Sequence, residues 1–268
     1  MFFNKAVAFI KRDFFIQVSY RNAFIFEWLG ILSKIATFYF IAKLLDKGMT
    51  AHLTEYQVGY FPFVFVGIAF SEHLSTAIHS FAQRLREEQM LGTLETVLSA
   101  PTTTSVIVIS LCLWDFICTS IGTIIYLLFG VLFFHLDLSH MNLLASLIIF
   151  VLTLVSFSAI GIISAAFIMV FKKGTPISWL ATTFSAFFGG VFFPVDTLPQ
   201  WLQKISYLLP STYSLIGLRH AIFQGYNLKA LFPQIAILFG FCIVLLPVAL
   251  QIFKAMVRRA KTSGTLSH

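Results

Sequence analysis

Charge is scarce in this chain. Asp, Glu, Lys and Arg make up 11% of its 268 residues, while 58% are hydrophobic and 32 are phenylalanine. A soluble protein of this length needs more polar surface than that to cover its core. Cysteine is scarcer still. Cys112, Cys118 and Cys242 all lie in apolar runs and form no CxxC pair, so they read as small buried residues rather than a disulfide framework or a thiolate metal centre. No GxxxxGKS or GxxxxGKT occurs, so the chain lacks the usual loop for cradling nucleotide phosphates. His73 and His79 are six apart and share no helix face, and no HExxH exists; no metal site is expected. Repeats and low-complexity tracts are missing too, and one membrane domain over 1–268 is the expected organisation.

What is present is a series of long apolar runs, with mean hydropathy of +0.89. About 20 apolar residues at 1.5 Å rise cross a ~30 Å hydrocarbon core. Inside lipid every backbone N–H and C=O must be paired, and continuous rather than alternating runs favour helices over a barrel. The expected fold is an all-α integral membrane protein with six transmembrane helices, at about 23–45, 58–80, 106–134, 141–171, 176–194 and 230–253. Before them, Phe3, Val7, Ile10 and Phe14 share one stripe, with Lys5, Lys11 and Arg12 off it. That pattern predicts a helix over 1–20 lying at the membrane surface. It carries no cleavage motif and is not read as a signal peptide.

The net charge of +7 could point to nucleic acid, but the cations sit at the ends of apolar runs and form no dense stripe. They report topology instead, and membrane lipids rather than nucleic acid are the expected surroundings. With six spans, Lys5, Lys11, Arg12, Arg21, Arg84, Arg86, Lys172, Lys173, Lys254, Arg258, Arg259 and Lys261 share one side. Lys43, Lys47, Lys204, Arg219 and Lys229 take the other. Twelve against five places both termini in the cytoplasm.

Against this background residues 84–101, RLREEQMLGTLETVLSAP, stand out. Arg84, Arg86, Glu87, Glu88 and Glu95 crowd together where the second span leaves the membrane. Gly92 interrupts the segment, and Leu91, Leu94 and Leu98 then give a short helix one apolar face, ending before Pro101. A solvated loop explains the cations, and docking onto another protein explains the added glutamates, which topology does not require. The stretch resembles the "charged residues, Gly-Thr-Leu-Glu, Leu-Leu, small residue, Pro" signature of ABC-2 type transporter permeases. A second stretch, residues 192–225, resembles that family's segment before its last span, with Pro194, Leu198, Pro199, Trp201, Leu202, Pro210, Tyr213 and Arg219 in order.

The resemblance implies that 84–101 is a coupling helix seated on a cytoplasmic ATP-binding cassette ATPase subunit. Arg84, Arg86, Glu87, Glu88, Gly92, Thr93, Leu94, Glu95 and Leu98 would be its contact residues. It implies no cofactor on this chain, with ATP and Mg held by the partner ATPase. It also implies a second permease copy, identical or different, in a prokaryotic plasma (inner) membrane. Around 195–215, three prolines and Trp201, with Leu202, Ile205 and Leu209 on one face, predict a short helix in the outer leaflet. The family adds that this is a re-entrant pair near the exit.

Lys34, Glu72 and Asp115 fall near mid-membrane in the first three spans, Lys34 about 16 Å deep. Lone charges there are costly, so Lys34 is expected to pair with Glu72 or Asp115. Clustered phenylalanines at 61–65 and 184–193 face lipid, fill the bundle or line a path for greasy substrates. Three function classes follow. The first is a transport permease, an exporter of an amphipathic or hydrophobic substrate, drug-like or lipid- and glycan-like. The second is a lipid-modifying membrane enzyme, which the dispersed acidic residues argue against. The third is a non-transporting scaffold.

Overall fold

The structure is a computed structural model, and it describes residues 2–19, 29–30, 33, 35–44, 53–93, 96–97, 104–171 and 176–262. Among the described residues there is no strand. The helices are α1 (Phe2–Ser19), α2 (Ile35–Leu44), α3 (Tyr60–Met90), α4 (Thr104–Phe134) and α5 (Leu143–Phe171). They continue as α6 (Pro176–Phe188), α7 (Gln200–Ser206), α8 (Pro210–Phe223) and α9 (Phe232–Thr262).

Among the described residues four helices are long and apolar enough to cross a membrane: α3, and the stretches Ile109–Phe134, Leu143–Ile168 and Phe232–Arg259 within α4, α5 and α9. The expected first span, 23–45, lies mostly outside the described residues. The expected fifth span, 176–194, is shorter as a helix. Here α6 covers 13 residues and stops at Phe188, below the ~17–25 residues that a crossing needs. Gly190 then turns the chain at φ +84°, and a side chain on Gly189 would collide with Ser211 and the Ser185 carbonyl. Apolar composition alone did not reveal that turn.

α3 is the hub. In its most apolar stretch 67% is buried, against 11% in α4 and in α9, so α3 meets the rest of the chain where α4 and α9 turn most of their apolar surface outward. It packs along α4 and α5, and α5 packs in turn along α9 and α8. The close crossing of α3 and α5 needs Gly161, since a Cβ there would fall on the carbonyls of Ala77 and Ile78. Buried Ala159, Ala165, Ala166 and Ala249 let neighbouring helices approach in the same way. Between helices, Thr153 and Ser214 hydroxyls lie 2.6 Å apart, as do those of Ser164 and Ser178. Each such pair contributes about 0.6 kcal/mol in a membrane bundle. Cys112 and Cys242 are buried free thiols and Cys118 is half-buried. The Cys242 thiol donates to the Leu152 carbonyl at 3.2 Å.

Candidate functional site

α3 runs unbroken from Tyr60 to Met90, and its last turns carry the charged segment beyond the apolar core. The helix ends by the chemistry of its next residues. The Leu91 N–H bonds the Glu87 carbonyl at 3.0 Å, and the Gly92 N–H bonds Gln89 at 3.1 Å. Gly92 takes φ +70°, the left-handed position that glycine adopts without penalty. Thr93 then closes the turn, its N–H on the Glu88 carbonyl at 3.0 Å and its hydroxyl donating to the Glu88 carboxylate. Thr96 and Val97 are helical again, with the Val97 N–H on the Thr93 carbonyl at 3.0 Å. Leu94, Glu95 and Leu98 lie outside the described residues.

The charged residues divide into two groups. Glu88 is 5% exposed and faces inward, accepting from Arg12 Nη1 of α1 at 2.7 Å. Arg12 Nε also donates to Asp13 at 2.8 Å. Burial alone would lower the Arg12 pKa, and its bonds to Asp13 and Glu88 more than offset this, so the guanidinium sits above its ordinary value. Arg84 reaches sideways to Asp115 of α4 through two N–H groups, Nε at 3.0 Å. Its Nη1 lies 3.5 Å from Glu87 and 3.9 Å from Asp13. Edge-on contact of Phe14 with Trp114, at 5.6 Å, adds an apolar tie between α1 and α4. Arg12, Asp13, Arg84, Glu88 and Asp115 thus bind three helices into one block.

The second group faces outward. Arg86 and Met90 are exposed, Leu91 is 74% exposed, and Glu87 is partly so. Thr96 is exposed too, while Val97 packs with Phe9 on the core. An exposed tip of mixed charge and apolar side chains, held by buried ion pairs, is suited to contact with another protein.

Among the intramembrane charges, Asp115 is matched by Arg84, a partner from the end of α3. Lys34 lies outside the described residues, and Glu72 is exposed on α3. Asp13 entered no sequence-level reading. Its signal was there, as an acid beside two cations in a predicted surface helix, but only packing puts it next to Arg84.

The segment after α6 is built on prolines. Pro194 precedes a single 3-10 turn, Val195–Thr197, Pro199 caps α7, and Pro210 starts α8. Side chains close the turns: Thr197 donates to the Pro194 carbonyl at 2.7 Å, Gln203 to Leu198 at 2.8 Å, and Tyr213 to Tyr207 at 2.9 Å. Leu198 is half-buried, and Trp201 is 65% exposed. Arg219 is different, being 1% exposed. Its Nη1 donates to Gly190 at 2.7 Å, and its Nη2 to Val191 at 3.0 Å and Phe63 at 3.1 Å. The guanidinium also lies 3.4 Å over the Phe63 ring. Gly67 makes the room, since a Cβ there would stand 2.7 Å from Arg219 Nη2. One side chain of α8 therefore clamps the turn after α6 to the first turns of α3.

Comparison with known proteins bears on both ends. A search of curated proteins finds no match to the chain. The family model for the ABC-2 type transporter matches residues 6–223, a stretch that takes in the α1–α3–α4 block and the Arg219 clamp. On that match the chain belongs to the ABC-2 type transporter family, multi-pass membrane permeases of ABC transporters that lack an ATPase motif of their own and pair with a cytoplasmic ATPase subunit.

Proposed function

We propose that this permease exports an amphipathic or hydrophobic compound, drug-like or of the lipid and glycan type, driven by ATP hydrolysed on the partner subunit. In this reading the chain crosses the membrane six times, first over 23–45 and fifth through α6 together with the turn that follows it, with both termini cytoplasmic in a prokaryotic inner membrane. The working unit is two permeases, most simply two copies of this chain, with two ATPases. ATP and Mg bind the ATPases only.

One observation carries the reading: α3 is a continuous rod from Tyr60 to an exposed tip at Met90–Gly92, braced by ion pairs to α1 and α4. ATP-driven closure of two ATPases displaces whatever sits in their grooves. A tip on a hinge would absorb that motion, whereas a braced tip passes it to three helices together. Arg86, Glu87, Met90 and Leu91, followed in sequence by Glu95, make the docking face. Arg84, Glu88 and Thr93 hold the tip from inside. This division refines the expectation that all the charges meet the partner.

The test is co-purification of the full chain from its native membrane, with ATPase assay of the eluate. The variant carries Arg86→Glu, Met90→Ser and Leu91→Ser, all at exposed positions. Loss of the ATPase with an unchanged melting temperature supports the docking face. Full retention of the ATPase by the folded variant overturns it.

A further inference from the structure

α4 and α5 both pack along α3 but hardly touch each other. Between them opens a pocket of about 420 Å³, inside the ~300–1,000 Å³ range of small-molecule sites. Val66, Ala69 and Phe70 of α3 form its back, and Leu218 of α8 closes one side. Its mouth is set by Ile124 of α4 and Leu147 of α5, which are 58% and 55% exposed. Both lie on helices apolar enough to cross a membrane, so the mouth is continuous with the lipid-facing surface. Ala69 stands nine residues below Tyr60, about 14 Å along α3, and the pocket lies at hydrocarbon depth.

Among the described residues no Lys, Arg, Asp or Glu lines the pocket, and its polar neighbours His73, Ser120, Thr123 and Ser146 expose only carbon to it. His73 Nδ1 lies 3.2 Å from the Thr123 hydroxyl, and Nε2 lies 3.4 Å from that of Ser120. The surface offered to a ligand is hydrocarbon. The space matches roughly one turn of an α-helix ~10 Å wide with ~5.4 Å pitch, too little to seat a partner helix.

We infer that this wedge is a binding site for a single acyl chain of a bilayer lipid, which enters sideways between α4 and α5 and rests against Ala69 and Phe70. The site recognises the chain alone, leaving the headgroup in the interface. It does not depend on the export reading.

The full-length chain in proteoliposomes is photolysed with phosphatidylcholine bearing a diazirine on one acyl chain, and adducts are mapped by mass spectrometry. Adducts are expected at Ala69, Phe70 and Phe150, which bulk lipid on the outer surface does not reach. Leu147→Trp, a change at an exposed rim position, closes the mouth and lowers those adducts about tenfold by filling the space. Labelling of exposed Leu132 and Val244 stays the same, which reports an intact fold. Replacing the choline headgroup by glycerol leaves the pattern unchanged. An unlabelled back wall overturns the site, as does labelling that Leu147→Trp leaves intact. Dependence on the headgroup overturns its assignment to the chain alone.

Discussion

The two ends of α3 solve the same problem by different chemistry. At the Met90 end, the inner one in the proposed topology, Arg12 and Arg84 meet the carboxylates of Glu88, Asp13 and Asp115, and each pair keeps some contact with water. At the Tyr60 end, the outer one in the proposed topology, Arg219 is fully enclosed and meets backbone carbonyls, with no carboxylate among its partners in the described residues. Ion pairs between side chains can reform after a small displacement, because both partners have rotamers to spare. A fork of hydrogen bonds to three carbonyls on two segments fixes backbone against backbone, and a shift of an ångström breaks it. The inner end is therefore built to move as a block, and the outer end to hold α3, the turn after α6 and α8 in register.

Arg219→Met is expected to have the largest effect. It removes the donor from the carbonyls of Gly190 and Val191, at about 1–3 kcal/mol for an unsatisfied group, cuts the tie to the Phe63 carbonyl of α3, and should lower the melting temperature sharply in detergent. Arg219→Lys should not rescue it, since an ammonium cannot span that fork. If either variant melts like the parent, the outer end is not a clamp.

Next comes Asp115→Leu, which takes the nearest carboxylate from Arg84 at a partly buried site and leaves it the longer contacts to Glu87 and Asp13. A loss of about 2 kcal/mol is expected, reduced from the fully buried case by solvent access. The double variant Arg84→Met/Asp115→Leu should recover most of it in thermal melts. No recovery would mean that the pair does not act as a unit.

Arg12 is 38% exposed at its side chain, so its pair with Glu88 is weaker. Arg12→Gln and Glu88→Gln should each cost about 1 kcal/mol, and a double-mutant cycle should return a coupling of about 0.5 kcal/mol or more. Hydrogen exchange should rise in α1 and at the tip of α3 while the outer end stays protected. A change at both ends would erase the distinction drawn between them.

The smallest stability effect belongs to Arg86→Glu with Leu91→Ser, within about 0.5 kcal/mol because both face solvent. ATPase activity that depends on the permease should nevertheless fall. Stability and coupling thus separate at the exposed tip and run together at the buried pairs.

Much of this was legible beforehand. The apolar runs announced α3, α4, α5 and α9, because a bilayer admits only helices that satisfy their own backbone. Pro194, Pro199 and Pro210 announced a broken outer segment, since each removes a donor and fixes φ. Harder to read was which charges are inward. Glu87 and Glu88 are adjacent and chemically alike, yet one is partly exposed and the other is buried against α1. The turn at Gly189–Gly190 was equally hidden inside a run of phenylalanines.

The sequence by itself determined an all-helical membrane permease without a nucleotide loop, and the place along the chain where its charges gather. Those properties depend on composition and on neighbours within a helical turn. Only the tertiary structure decided that Arg84 pairs with Asp115, that Glu88 reaches Arg12, and that Arg219 caps three distant carbonyls. Such partners lie 31, 76 and as many as 156 residues apart. The bundle brings them together because α3 must bury its length against α4 and α5, and no local pattern carries that information.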